Sequence, residues 1–446
     1  GLRTPVAEDE LIDVLSAAGV MVEAPCGGRG TCGKCRVRVQ GDAGEFADSE
    51  MRLLTQSDRA SGVRLACGAH VMGDMTIEVL RSVSGAQVMT EGVTGSNDPL
   101  DPSAKIVELK TAQPSLADQS SDMERVRGIL GEVDFDQAAL KKLPGALRSG
   151  RLHSALFQGG RAPRVTDCSD GPMGNLGVAV DVGTTTMAAY LVDLSTGVQL
   201  ATHSCLNPQR AHGGDVISRA DFAGANAGNA DRLQELVVGA ILDLTDGMLA
   251  GCGRSRDEVR HVVAVGNTIM MHLLNGLPVK HIAVIPFAPV YTKGYDVAAS
   301  EIGLELPNAR VTLSPCVSGY VGADTVAAVV ACGLDAPGEA ALMIDIGTNG
   351  EIALRVGDKM WCCSAAAGPA FEGAHIRCGS GAVDGTIDRV KIEDGKPLVT
   401  TIGGKTALSI CGSGIVDAVA EMLREEIIDE TGRMDGDLIL ADGVFI

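Results

Sequence analysis

A strand, a tight turn written Asp-x-Gly-Thr and two further strands occur twice in this chain, and no other feature restricts its fold so strongly. The first copy, Gly177-Val-Ala-Val-Asp181-Val-Gly183-Thr184-Thr185-Thr186, leads into Met187-Ala-Ala-Tyr-Leu-Val-Asp193, a Ser-Thr-Gly turn and Val198-Gln-Leu-Ala-Thr202. The second, Ala341-Leu-Met-Ile-Asp345-Ile-Gly347-Thr348-Asn349-Gly350, leads into Glu351-Ile-Ala-Leu-Arg-Val356, a Gly-Asp turn and Lys359-Met-Trp-Cys-Cys363. A carboxylate at the end of a buried strand can hold Mg²⁺ through waters, while the Gly and Thr of the turn aim N–H and hydroxyl groups at phosphate oxygens. One copy is weak evidence, because any hairpin can carry Asp and Gly. Two copies, each opening a hairpin after an apolar strand, predict a nucleotide clamped from both sides by the two turns.

The N-terminal part carries a second chemistry. Cys26-Gly-Gly-Arg-Gly-Thr-Cys32-Gly-Lys-Cys35 is spaced C-x5-C-x2-C, and a fourth cysteine follows in Arg64-Leu-Ala-Cys67-Gly-Ala-His70. A loop that wraps an iron–sulfur cluster brings backbone N–H groups against sulfides and adopts positive φ, and the glycines at 27, 28, 30 and 33 permit both. Val37 and Val39, then Ile77 and Val79, alternate with polar residues as strands do, and a helix is expected over about 48–57. The order is that of a small ferredoxin with a 2Fe-2S cluster on Cys26, Cys32, Cys35 and Cys67. Zinc is the alternative, although zinc sites commonly pair two C-x2-C knuckles and only one is present. The other nine cysteines have no such spacing and read as buried free thiols.

Composition narrows the rest. The chain has 446 residues, 45% of them hydrophobic, with 57 acidic against 37 basic side chains and a net charge of −20. That length supports about two to four domains, and the acidic balance opposes a nucleic-acid-binding surface. No apolar run is long enough for a membrane span, the start lacks a signal-peptide pattern, and 13 cysteines, an odd number, do not read as a disulfide scaffold; the expected compartment is the cytoplasm. Residues 83–103, rich in Ser, Gly, Asp and Pro, read as a linker after a first domain at 1–82. A small α+β middle domain is expected at 104–173, with a strand at Ile106, helices near 122–130 and 135–143, and a strand near Arg164. Both ends look cut: a helix at 11–18 with Gly19 as its C-cap begins almost at once, and the chain stops on Val-Phe-Ile446.

Residues 1–80 resemble 2Fe-2S ferredoxins, with the x5 spacing of those that serve steroid hydroxylases. Residues 174–446 resemble the actin, sugar kinase and Hsp70 ATPase superfamily. That resemblance implies an α/β, ribonuclease H-like domain of two related subdomains, about 174–333 and an incomplete 334–446, with ATP between them. Asp181 with Gly183, Thr184, Thr185 and Thr186 match the superfamily's first phosphate motif, and Asp345 with Gly347, Thr348, Asn349 and Gly350 its second. Asp324, in the small-residue segment 319–333, is the candidate for a water-activating residue; equally, it caps its helix. Asn267 and Thr268 either cap a helix or face the cleft, while Asn207-Pro-Gln209 and the segment 212–219 read as structure or interface. His212, His272 and His375 read as core or solvated histidines, and Cys411-Gly-Ser-Gly414 precedes a helix.

Taken in order, the whole chain closely resembles the ATP-dependent reductive activators of corrinoid proteins. The resemblance implies reduction of inactive Co(II) to Co(I) cobalamin on a partner in a methyl-transfer system. The cluster, ATP and Mg²⁺ serve as cofactors, the partners are a corrinoid protein and a low-potential donor such as a ferredoxin or flavoprotein, and a homodimer is plausible. Two rivals use the same residues: a sugar-kinase-like phosphotransferase, and an electron carrier with a regulatory actin-like domain.

Overall fold

A computed structural model describes residues 10–18, 20, 22, 24, 26, 28, 30–80, 99–159, 162–347, 349–365, 378–393, 395–434 and 436–446. The Gly19 cap, Gly27, residues 83–98 of the expected linker, Thr348 and His375 lie outside the described residues. The described residues form two compact units, one drawn from 1–88, 208–226 and 329–446, the other from 89–207 and 227–328.

In unit one, helix α1 (Leu11–Ala17) precedes strand β1 (Arg36–Gly41), helices α2 (Asp48–Leu53) and α3 (Gln56–Ala60), and strands β2 (Val63–Leu65) and β3 (Met75–Val79). The sheet order is β2-β1-β3, antiparallel throughout, with Val37 opposite Val79 and Val39 opposite Ile77. Leu11, Leu15, Val37, Val39, Leu54 and Leu65 form its core. The single helix expected over 48–57 is two. Leu54 is extended, and Thr55 starts α3 with a capping box in which its hydroxyl accepts from the Asp58 amide at 3.1 Å.

One buried ion pair fixes this domain. Glu50 and Arg64 are both buried and pair through two contacts, Nε–Oε1 at 2.8 Å and Nη2–Oε2 at 2.9 Å. Glu50 also accepts the Leu65 amide at 2.8 Å and the Ala47 amide at 3.0 Å, while Arg64 donates to the carbonyls of Ala43, Gly44 and Glu45. Burial opposes the charge on Glu50, but the Arg64 guanidinium and these amides hold its carboxyl below the ordinary range.

Unit two begins with β4 (Ala104–Leu109), α4 (Asp122–Leu130), β5 (Asp134–Phe135), α5 (Gln137–Arg148), β6 (Leu152–Phe157) and β7 (Arg164–Ser169), in sheet order β4-β6-β7-β5. The second helix, expected over 135–143, starts at Gln137 and runs past Pro144 to Arg148, which places Ala146 and Leu147 in the core with Val126, Leu143 and Leu152. Strands β8 (Leu176–Val182), β9 (Thr186–Asp193) and β10 (Val198–Leu206) form the first meander.

Helix α6 (Val216–Ala225) belongs to unit one. Unit two resumes with α7 (Asn229–Gly251), β11 (Val259–Gly266), α8 (Thr268–Leu274), α9 (Lys280–Ala283), β12 (Tyr295–Ala298) and β13 (Arg310–Leu313). The six-stranded sheet has the order β10-β9-β8-β11-β13-β12, with β8, β11 and β13 mutually parallel. Three antiparallel strands followed by parallel ones reached through a helix is the ribonuclease H arrangement. Asp167 of β7 ties the smaller sheet to this one, accepting from Arg260 of β11 at 2.8 Å and from Lys142 at 2.7 Å.

Helix α10 (Ala323–Ala331) follows. Strands β14 (Ala341–Ile346), β15 (Gly350–Val356) and β16 (Lys359–Ala365) repeat the meander in unit one. Beyond it, β17 (Thr386–Glu393), β18 (Lys396–Thr401) and β19 (Ser409–Ile410) form a second sheet, and α11 (Gly412–Arg424) packs on β17 around Ile387, Ile410 and Ala418; β20 (Ile439–Ala441) and β21 (Val444–Phe445) close the chain. The helix expected from Ile415 starts at Gly412.

Removing one partner of a buried ion pair strands the other charge. Glu50→Ala should therefore lower the unfolding free energy of the cysteine domain by about 3–5 kcal/mol, read from the denaturant midpoint of its transition. An unchanged midpoint would show that Arg64 finds another acceptor.

Candidate functional site: a four-cysteine loop and a phosphate turn

The four cysteines predicted as ligands meet in unit one. Cys26 and Cys32 place their sulfurs 3.3 Å apart, and so do Cys35 and Cys67. Two thiolates on one tetrahedral metal with bonds of ~2.3 Å stand ~3.8 Å apart, so each pair is close to a two-thiolate bite. Two pairs suit two irons, whereas one zinc cage needs four sulfurs around a single point. Among the described residues no three His, Cys, Asp or Glu side chains converge on one ion position.

The loop supplies what sulfur needs. Gly28, Gly30 and Gly33 have φ of +80°, +63° and +66°, and a Cβ on Gly30 would lie 2.6 Å from Ser49 Cβ. Side chains are excluded there by conformation and by space. Backbone hydrogen bonds from Thr31 and Cys32 reach Cys26, one from Lys34 reaches Cys32 and one from Gly30 reaches Cys67. The hydrogen bond from Cys32, helped by these amides, pulls Cys26 down to about 4, and the same bond pushes Cys32 up. Likewise Cys35 is lowered by its bond with Cys67, which is raised. Within each pair, one sulfur is thus favoured as thiolate and the other as thiol.

The amides of Leu11 and Ile12 donate to Ala69 O at 2.9 Å and Ala66 O at 3.0 Å, which pins α1 to the carbonyls around Cys67. The Glu50–Arg64 pair holds β2, whose end feeds the same turn. Sequence reasoning missed that pair, because two charges fourteen positions apart in different elements leave no local signal. The remaining nine cysteines are free, as expected, but not uniformly buried: Cys168, Cys316, Cys378 and Cys411 are buried, Cys205, Cys252 and Cys362 are half-buried, and Cys332 and Cys363 are exposed.

The first phosphate turn lies in unit two, between β8 and β9. Asp181 is exposed near the strand end and Gly183 through Thr186 are half-buried. A Cβ on Gly183 would sit 2.4 Å from Thr186 O, so the turn closes tightly enough to require glycine. Asn207, fully buried, donates its side chain to Gly183 O at 2.8 Å and its amide to Thr185 O at 2.9 Å. Asn267 serves two elements, one of them the helix cap expected of it. It caps α8 by accepting the Met270 amide at 3.0 Å, and it donates to Thr184 Oγ1 at 2.9 Å.

Gly266 and Gly322 permit the close approach: a Cβ on Gly266 would meet Val182 O at 2.7 Å, and one on Gly322 would meet Asn267 Cα at 2.4 Å and Asp324 Oδ1 at 2.7 Å. Asp324 therefore stands beside Asn267. It lies inside the first turn of α10 rather than ahead of it, with Oδ1 accepting from the Thr325 amide at 2.7 Å.

The second turn, in unit one, joins β14 to β15. Gly347 donates its amide to Asn349 O at 3.1 Å, Gly350 opens β15, and Asp345 is exposed opposite Glu351, which accepts from Ser364 at 3.1 Å.

Four family profiles match in succession: a 2Fe-2S iron–sulfur cluster binding domain over residues 1–72, the RACo linker region over 96–158, the RACo middle region over 176–337 and the C-terminal domain of RACo, the ASKHA domain, over 339–442. The corrinoid activation enzyme RamQ of Eubacterium limosum is 32% identical over 435 residues, which is 96% of this chain and 70% of that protein. The chain belongs to the RACo family. A solved structure described as a reductive activator for corrinoid, iron–sulfur protein superposes with a TM-score of 0.68 at 33% identity, covering 97% of this chain and 72% of that one. A further relative, the [Co(II) methylated amine-specific corrinoid protein] reductase of Methanosarcina barkeri, is 27% identical over 303 residues, 60% of this chain and 55% of its own length. The RACo middle profile thus takes in the whole first phosphate turn with Asn207, Asn267 and Asp324. Among the described residues no helix is long and apolar enough to cross a membrane.

Asn207→Asp replaces the donor facing Gly183 O with an acceptor at constant size. Expected is a loss of ATP affinity of about tenfold or more, since a buried carbonyl loses its partner, measured by calorimetric titration. An unchanged Kd would mean that Asn207 does not shape the turn.

Proposed function

We propose that this chain is an ATP-dependent reductive activator of a corrinoid protein, delivering one electron that converts inactive Co(II) cobalamin to Co(I) in a methyl-transfer system. The observation that carries this reading is the pairing of the four sulfurs in a loop of inward N–H groups, on a chain that also builds a phosphate turn. Its likeness to RamQ and to the corrinoid reductase of Methanosarcina barkeri supports the same activity.

Cys26 and Cys32 hold one iron of a 2Fe-2S cluster, Cys35 and Cys67 the other. When bound, that cluster supplies one-electron redox chemistry. The glycine loop keeps side chains away from it, and the amides of Gly30, Thr31, Cys32 and Lys34 favour the thiolate state. Asp181, Gly183, Thr184, Thr185 and Thr186 would bind ATP phosphates, as would Asp345, Gly347, Thr348, Asn349 and Gly350, and Asp181 and Asp345 would hold Mg²⁺. Asp324 orients a water for hydrolysis. The donor is a low-potential ferredoxin or flavoprotein, the compartment is the cytoplasm, and the chain works as a homodimer.

ATP is required because a one-electron carrier needs no nucleotide for a downhill step. Each ~59 mV of mismatch costs about tenfold in equilibrium, and plant-type clusters sit near about −400 mV. A nucleotide can help only by binding one state of the complex more tightly than the other.

The test is the visible spectrum of a Co(II) corrinoid protein mixed with reductant and this protein, with and without ATP. Co(I) should form only with ATP, and Cys67→Ser should abolish it. Identical traces in both conditions would contradict the proposal, and phosphorylation of a small alcohol that survives Cys67→Ser would replace it with a phosphotransferase.

A further inference from the structure

Although 57 of the 446 residues are acidic, none lies between Glu258 and Asp296 and none between Glu305 and Asp324. These two acid-free stretches meet in unit two. Thr268 donates to Ser318 O at 2.6 Å, the rings of Phe287 and Tyr320 pack edge to face at 5.2 Å, and a Cβ on Gly319 would lie 2.4 Å from Phe287 O.

Their common surface is apolar. Ile285 is 82% exposed, Val290 60%, Val317 50%, Val284 49% and Phe287 38%. Lys280, His281 and Lys293 stand exposed in the same stretch. A loop so apolar should fold inward, yet this one is held outward. His272, fully buried, contacts Thr268 O through Nδ1 at 2.7 Å, accepts the Val290 amide on Nε2 at 3.1 Å and stacks on Tyr291 at 4.6 Å. Phe287 sits at φ +61°, a conformation costly for a bulky side chain and retained only where the surroundings enforce it. His272 belongs to α8, which starts at Asn267 against Thr184, so the loop has a fixed place relative to the phosphate turn.

Exposed apolar patches with a polar rim mark interaction sites, and a rim of one sign selects a partner of the other. On a chain of net charge −20, an acid-free basic rim is the surface an acidic protein can approach. We propose that the loop 284–290, with Val317 and the rim of Lys280, His281 and Lys293, docks a protein partner whose contact face sets carboxylates around an apolar centre. Resting on the function proposed above, that partner is the corrinoid protein.

The experiment uses the cluster-loaded protein and two variants, Ile285→Asp and the double charge reversal Lys280→Glu/Lys293→Glu. Affinity for the corrinoid protein is read by calorimetry, loop protection by hydrogen exchange, and cobalt reduction by absorption. Expected are protection of 284–290 on adding the partner and a loss of affinity of about tenfold or more in each variant. The cluster spectrum and ATP binding should stay unchanged, and the double variant should show a weaker salt dependence. Wild-type cobalt reduction with full partner affinity in both variants would overturn the docking surface and leave the function intact. Loop protection and variant-sensitive binding without any cobalt reduction would keep the surface and overturn the function. Variants that lose only self-association, or only binding to anionic vesicles, would overturn the proposal in favour of a second copy or a lipid surface.

Discussion

Sulfurs repel side chains less than they demand amides, and that demand organises the N-terminal domain. Four cysteine sulfurs stand in two pairs, each 3.3 Å apart, only because the backbone between them carries glycine at positive φ and turns its N–H groups inward. A loop of that kind buries little apolar surface and cannot hold its own shape. The shape comes from outside: α1 donates its first amides to the carbonyls beside Cys67, and the buried Glu50–Arg64 pair locks the 43–50 segment to β2. The pair is costly to bury and fully satisfied, the condition under which such pairs persist.

The phosphate turn of unit two is built on a similar principle with different groups. Gly183, Gly266 and Gly322 bring three backbones together, and Asn207 and Asn267 supply the hydrogen bonds that a bare glycine turn lacks. Because Asn267 also caps α8, a change at Thr184 is felt at the start of a helix that carries His272 and, through it, the exposed loop at Val290. The turn and the loop therefore both contact α8, through Asn267 and His272, and a nucleotide and a partner bound as proposed would couple only if that helix has two arrangements that both sites bias.

Much of this was legible in the sequence. Spacing and glycine content marked the four cysteines, and duplication marked the hairpins, because both are local patterns with a fixed period. Asn267 was legible as a cap and Asn207 only as a polar segment, since its role depends on Gly183 arriving from two strands earlier. Glu50 and Arg64 were silent for the same reason. The break at Leu54 was hidden by continuous helix-compatible residues and is explained by the Thr55 capping box, while the helix passing Pro144 shows core burial of Leu147 overriding a local stop. His272 read as a core histidine and is one, but while Nδ1 contacts Thr268 O of its own helix, Nε2 accepts the Val290 amide of the loop.

Two sulfur pairs holding one two-iron cluster is the arrangement on which the proposed function rests. Electron paramagnetic resonance of the anaerobically reconstituted protein, reduced and quantified beside its iron and acid-labile sulfide, tests it most directly. One unpaired spin is expected for every two irons and two sulfides in each chain. A diamagnetic, colourless protein holding a single zinc on the four cysteines would contradict it.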